Sequence, residues 1–144
     1  MQPMLSYGDF TFHPIEDEKV PRTVCRDVPG EFRISQVIGK YFKYRENESN
    51  SLVIRDDEDA IYYLLTEGIP EFMDLGEVYV SEQLGKMKVL PPPKMSVGIK
   101  SQENWLELTI DMPDMSKAEL VKILSEYRQK KKYHRLKNGE FLQL

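Results

Sequence analysis

The chain has 144 residues, 40% of them apolar and 31% charged, with a formal net charge of -4. That length buries roughly 70% of the unfolded surface, enough for one core or two small, closely packed subdomains. No apolar run approaches the ~20 residues that cross a bilayer, the N-terminus MQPMLSYGDF lacks a signal peptide's form, and the lone Cys25 excludes an internal disulfide, so cytoplasm is expected.

Charge is unevenly distributed. Residues 1–80 carry 16 acidic and 8 basic side chains, whereas residues 81–144 carry 8 acidic and 12 basic. A polyanion binder using its whole surface is thereby disfavoured, while a basic face near the C-terminus stays open.

In chain order, Tyr7–Phe12 reads as a short extended piece, followed by a loose connection through Pro14 and Pro21. The first helix starts at Asp27, with Pro29 in the first turn and Glu31 at the positive end of the dipole. Ile34, Val37, Ile38, Tyr41 and Phe42 then form one apolar stripe. Leu52–Ile54 reads as a strand. A second helix is expected to be capped by Asp56, to carry Ile61, Leu64 and Leu65 inward, and to stop at a left-handed Gly68 before Pro70. Gly76–Val80 and Lys86–Leu90 read as two further strands.

Pro91-Pro92-Pro93 can join neither a ladder nor a helix interior, so it marks a stiff connector. The expected division is an N-terminal α+β subdomain over 1–90, a connector over 91–94 and a C-terminal subdomain over 95–144. Beyond the prolines, Val97–Lys100 and Trp105–Asp111 form a hairpin around a polar loop, the second arm alternating Leu106, Leu108 and Ile110 with Trp105, Glu107 and Thr109. Ser116 and Glu119 form a capping box for a helix whose apolar face is Leu120, Ile123, Leu124 and Tyr127. Asn138-Gly139 turns a closing hairpin; a two-residue turn would pair Leu136 with Phe141, yet neither face then becomes wholly apolar. The fold class is α+β: small antiparallel sheets with packed helices, ending in a ββαββ unit.

Catalytic equipment is not legible. Gly85-Lys86-Met87 and Gly98-Ile99-Lys100-Ser101 both depart from a phosphate-binding loop, and neither a nucleophile elbow nor a zinc-protease helix occurs. His13, Cys25 and His134 match no zinc spacing, and Asp56–Asp59 suits helix capping better than calcium. No catalytic, metal or cofactor-binding residue is therefore assigned, and no small-molecule substrate. Arg128, Lys130, Lys131, Lys132, Arg135 and Lys137 cluster around Tyr133 and His134. They either finish a helix and decorate a solvated hairpin, or form a phosphate-contacting strip with Tyr133 as a stacking face. Trp105 faces either a second packed layer or solvent, and in the second case it would be a docking surface.

The stretch Ser116–Leu144, above all Lys130–Phe141, resembles the bacterial helicase-associated domain that precedes the ATPase motor of Swi/Snf-type proteins. Arg26-Asp27 with Glu31, Gly76–Ser81 and the three prolines also fit that layout; His134 and Glu140 stand where the family more often has an aromatic and a small residue. The resemblance implies a parent whose adjoining helicase motor domains use ATP and Mg on duplex DNA. It implies that this chain is a non-enzymatic fragment, without a cofactor or membrane contact of its own. The function it implies is accessory or regulatory; the alternative is nucleic-acid binding through the basic hairpin.

Overall fold

Asp27 opens the longest helix, as its position before Val28-Pro29 dictates: its carboxylate accepts the Gly30 N–H at 3.0 Å, and α1 spans Val28–Tyr41. The computed structural model describes residues 1–15, 20–93, 97–102, 105–110 and 115–144, the two central strands by their backbone. The chain forms two compact units, Met1–Tyr79 and Val80–Leu144.

In the first unit, β1 (Leu5–Tyr7) and β2 (Phe10–Phe12) form a hairpin that pairs Tyr7 with Phe10. Phe12 is buried, and the Arg26 guanidinium lies 5.2 Å from its ring centre. The expected stripe on α1 points inward: Ile38 and Tyr41 are buried, Ile34, Val37 and Phe42 half-buried. A strand the sequence did not announce, β3 (Tyr44–Glu46), pairs antiparallel with β4 (Ser51–Val53), where Leu52 is buried. Met1 extends that ladder: its amine donates to the Leu52 carbonyl at 2.8 Å, and the Leu52 N–H donates back at 2.9 Å.

Three expectations fail in this unit, each for a local reason. Asp57, not Asp56, caps α2 (Glu58–Tyr63), accepting the Ala60 N–H at 2.9 Å. A cap needs β-region backbone, which Asp57 has (φ -127°, ψ 92°), while Asp56 turns the chain at φ 48°. Gly68 does not stop the helix. With φ -68° it closes a π-helical turn, Leu64–Gly68, that runs straight into α3 (Ile69–Leu75), whose first turn tolerates Pro70. Its role is close approach: a β-carbon there would meet Leu64 Cδ1 at 2.9 Å and the Tyr41 ring at 3.1 Å. Finally, Gly76–Val80 forms no strand, because nothing pairs with it among the described residues.

The Gly68 environment supports a quantitative expectation. Alanine gains roughly 1 kcal/mol in a helix interior, but overpacking typically costs about 1–3 kcal/mol. Tyr41 cannot yield, because its O–H is held by Glu71 at 2.5 Å and its ring stands edge-on to Phe72 at 5.6 Å. Gly68→Ala is therefore expected to destabilise by about 1 kcal/mol net, read as a lower urea midpoint; a raised midpoint would disprove the close packing.

In the second unit, Ser81 caps the short α4 (Glu82–Gly85), and only Val89–Leu90 of the expected Lys86–Leu90 strand forms β5. β5 pairs parallel with β9 (Phe141–Gln143), which pairs antiparallel with β8 (Tyr133–Arg135), giving the order β5-β9-β8. The chain therefore divides before β5, and the prolines lie within the second unit. The ββαββ order holds: β6 (Val97–Gln102) and β7 (Trp105–Ile110) make their own two-stranded sheet, with Val97 opposite Ile110 and Ile99 opposite Leu108, then α5 (Lys117–Arg128), β8 and β9. Pairing of β5 alongside β9 makes the closing sheet mixed, not wholly antiparallel.

The closing turn holds one residue more than expected. Leu136 donates to Glu140 O and its carbonyl accepts the Gly139 N–H, both at 2.9 Å, leaving three residues in the loop with Gly139 at φ 87°. Arg135 thus faces Phe141, and His134 faces Leu142. That register explains the mixed faces, because β9 is the central strand and both Phe141 and Leu142 are buried. On α5 only Ile123 is fully buried; Leu124 and Tyr127, expected inward, are 39% and 62% exposed. No helix among the described residues is long and apolar enough to cross a membrane.

Candidate functional site

The basic run begins where α5 ends. Ser116 starts that helix by accepting the Glu119 N–H at 3.2 Å, and Gln129 closes it. The Lys130 N–H then donates to Tyr127 O at 2.9 Å and the Lys131 N–H to Glu126 O at 3.1 Å, a Schellman pair with Lys130 left-handed at φ 60°. Glycine is the residue suited to that backbone. Lys130→Gly is therefore expected to stabilise the chain by about 0.5–1 kcal/mol in urea titration, and a loss of stability would show that the lysine side chain contributes more than its backbone costs.

Each neighbouring position has a structural task as well. Lys131 reaches back to Glu126 Oε1 at 3.3 Å, and the Lys132 carbonyl accepts the Leu144 N–H at 3.1 Å. Tyr133 is half-buried with its ring edge-on to Phe141 at 5.1 Å, while the Arg135 guanidinium lies 5.4 Å from the same ring's centre. Tyr133 thus packs against the central strand of the sheet and keeps part of its surface open. Arg128, Lys130, Lys131, Lys132 and Lys137 are exposed, Lys137 in the closing turn. The structure therefore brings the seven expected positions together along one helix end and one hairpin. Trp105 lies opposite Gln102 in the β6–β7 ladder, and its side chain falls outside the described residues.

Beneath this strip lies a pair that sequence reading missed. His134 is 3% exposed, and its Nδ1 stands 2.5 Å from Glu126 Oε2. Burial pushes the Glu126 carboxyl upward, but hydrogen bonds from His134 and Lys131 outweigh it and hold the group below its ordinary range. Eight positions separate the partners, across the helix end, a spacing that carries no sequence signal.

Two comparable networks organise the first unit. The Tyr7 O–H donates to Glu31 Oε1 at 2.8 Å and accepts the Asp27 N–H at 3.0 Å, while Arg26 forks onto both Glu31 oxygens. Glu71 similarly receives Lys40 at 2.8 Å and the Tyr41 O–H at 2.5 Å, joining α1 to α3. Arg26 holds the Glu31 carboxyl low, with Tyr7 assisting; Lys40, then Tyr41, does the same for Glu71. An open cleft of about 370 Å³ lies nearby, lined by Lys40, Lys43 and Arg55 against Asp57, Asp59 and Glu67, with Tyr44 and Tyr63. Three cations thus face three anions in its lining.

The candidate metal ligands stand in separate settings. His13 is buried with Nδ1 accepting the Ile15 N–H at 3.3 Å, Cys25 is exposed, and His134 is bound to Glu126. Among the described residues, no group of three or more His, Cys, Asp or Glu side chains is placed to hold a metal ion.

Neither a curated protein nor a solved structure matches the chain. The family described as bacterial SNF2 helicase associated matches residues 1–144, the entire sequence. The chain belongs to the bacterial SNF2 helicase-associated family.

Proposed function

We propose that this chain is a non-catalytic accessory module of a bacterial SNF2-type helicase, acting through protein contacts with the motor that turns over ATP. The carrying observation is the family membership across all 144 residues. The geometry supports the reading: Lys130 and Lys131 close α5, Lys40 ties α1 to α3 through Glu71, and the cleft beside α1 is lined by three cations and three anions.

The competing reading is nucleic-acid binding through the exposed Arg128, Lys130, Lys131, Lys132 and Lys137. Phosphate contacts release counterions, so affinity from such a strip falls steeply with salt. At about 0.15 M salt the isolated chain, at net charge -4, is expected to bind duplex DNA weakly or not at all. Fluorescence anisotropy across a salt series checks this. Submicromolar binding there, abolished when Lys130, Lys131 and Lys132 become glutamate, would replace the proposal with the competing reading. ATP hydrolysis by the purified chain would refute its non-catalytic character.

A further inference from the structure

The longest helix buries one face and leaves the other bare. Ile38 and Tyr41 of α1 point into the first unit, while Val28, Phe32, Gln36 and Gly39 fall at i, i+4, i+8 and i+11 on the opposite side, all exposed. A solvent face is ordinarily polar. Here Val28 is 60% exposed and Phe32 65%, and residues one turn apart lie side by side on a helix surface.

Gly39 points the same way. Glycine weakens a helix interior relative to alanine, and it serves where another group must approach the backbone closely. Gly68 meets that condition inside the chain, through Tyr41 and Leu64. Gly39 does not: outside its own helix's backbone, a β-carbon there would meet no atom within 4 Å. Charge on this face has one sign. Arg33 and Lys43 border it, exposed and without an ion pair among the described residues. The one carboxylate of α1, Glu31, is instead held by Arg26 and Tyr7.

We propose that the outer face of α1 docks an amphipathic helix of the SNF2-type motor, whose apolar stripe covers Val28 and Phe32 and whose flanking carboxylates pair with Arg33 and Lys43. Packed helices lie about 8–10 Å apart, the distance being set by the side chains at the crossing, and Gly39 supplies the near limit. Phe32 is the anchor that leaves water on binding. Charge selects the partner's flanks, since the face presents cations alone. A second copy docked face to face would set those cations against each other. A phosphate backbone would meet Arg33 and Lys43 yet leave Val28 and Phe32 against water.

This inference rests on the accessory-module reading, and one titration series separates the two. Binding of the full chain to the purified SNF2-type motor of its parent protein is measured by calorimetry at about 0.15 M salt. Phe32→Ser is expected to weaken the complex at least about tenfold while moving the free chain's thermal midpoint by no more than about 2 °C. Gly39→Ala is expected to act in opposite directions. It raises that midpoint by about 2–4 °C, because alanine favours the helix and meets nothing, and weakens the complex about fivefold or more, because the motor's helix meets the new methyl group. Arg33→Glu with Lys43→Glu is expected to weaken the complex and flatten its salt dependence. Full affinity in Phe32→Ser and Gly39→Ala overturns the α1 face and leaves the accessory reading standing. A Phe32→Ser midpoint lower by more than about 5 °C does the same, since the ring would then be packed within the chain. Self-association lost in Phe32→Ser, or duplex DNA binding lost on charge reversal while motor binding persists, overturns the proposal in favour of a second copy or of phosphate. Absence of any complex overturns both readings.

Discussion

Phe141→Ala is expected to cost about 3–5 kcal/mol, the range for deleting a large buried aromatic side chain. Phe141 has no exposed surface and stands on the central strand of the β5-β9-β8 sheet. Its ring carries Tyr133 on one side at 5.1 Å and Arg135 at 5.4 Å, so truncation removes two further packing partners along with its own area. Its N–H also donates to Lys88 O at 2.9 Å, next to the parallel pairing of Val89 with Phe141. Backbone pairing survives the substitution; side-chain packing does not. Hydrogen exchange is the suitable measurement, with protection at β8 and β9 expected to fall sharply. A loss below about 1 kcal/mol, typical of a surface change, would mean that Phe141 is not the centre of this core.

Glu126→Gln is expected to be the next most damaging, at about 1–3 kcal/mol near neutral pH, because the partner left behind is buried. His134 is 3% exposed and Glu126's side chain 14%, so solvent replaces little of what is lost. The pH dependence follows from linkage. A carboxyl held below its ordinary value of 4.5 leaves the unfolded chain holding more protons in that window. Stability from Glu126 is therefore complete above the unfolded pKa and disappears as pH falls through the lower folded one. Glu31 and Glu71 are shifted the same way, so the whole chain should lose stability below about pH 4.5. In the Glu126→Gln variant the acid-side slope of urea midpoint against pH should be shallower. An unchanged slope would remove Glu126 from the account.

Exposed pairs contribute little beside these. Lys86 and Glu82 lie 2.7 Å apart on α4, but both are more than 70% exposed, and such pairs contribute about 0–1 kcal/mol.

Much of the secondary structure was legible because it rests on local chemistry. Asp27 and Ser116 cap helices because their oxygens reach N–H groups three residues on, a constraint within one turn. The β6–β7 register follows from alternation across a short loop. The family, too, was legible from the C-terminal motif, and the match over residues 1–144 establishes it.

Errors arose where a residue's task depended on distant neighbours. Gly68 has the composition of a stop signal, yet Tyr41, brought beside it by packing of α1 on α3, requires a residue with no side chain there. Gly76–Val80 has strand composition, but a strand requires a partner, and the described fold supplies none. The outward turn of Leu124 and Tyr127 likewise depends on which side of α5 meets β8.

Alone, the amino-acid order determined the helix starts at Asp27 and Ser116, the β6–β7 hairpin and the family. Tertiary structure alone decided that Tyr7 meets Glu31, that Glu126 meets His134, and that β5 joins β9. The physical reason is range: caps and periodicity act within a turn, whereas partner choice depends on which surfaces burial brings together.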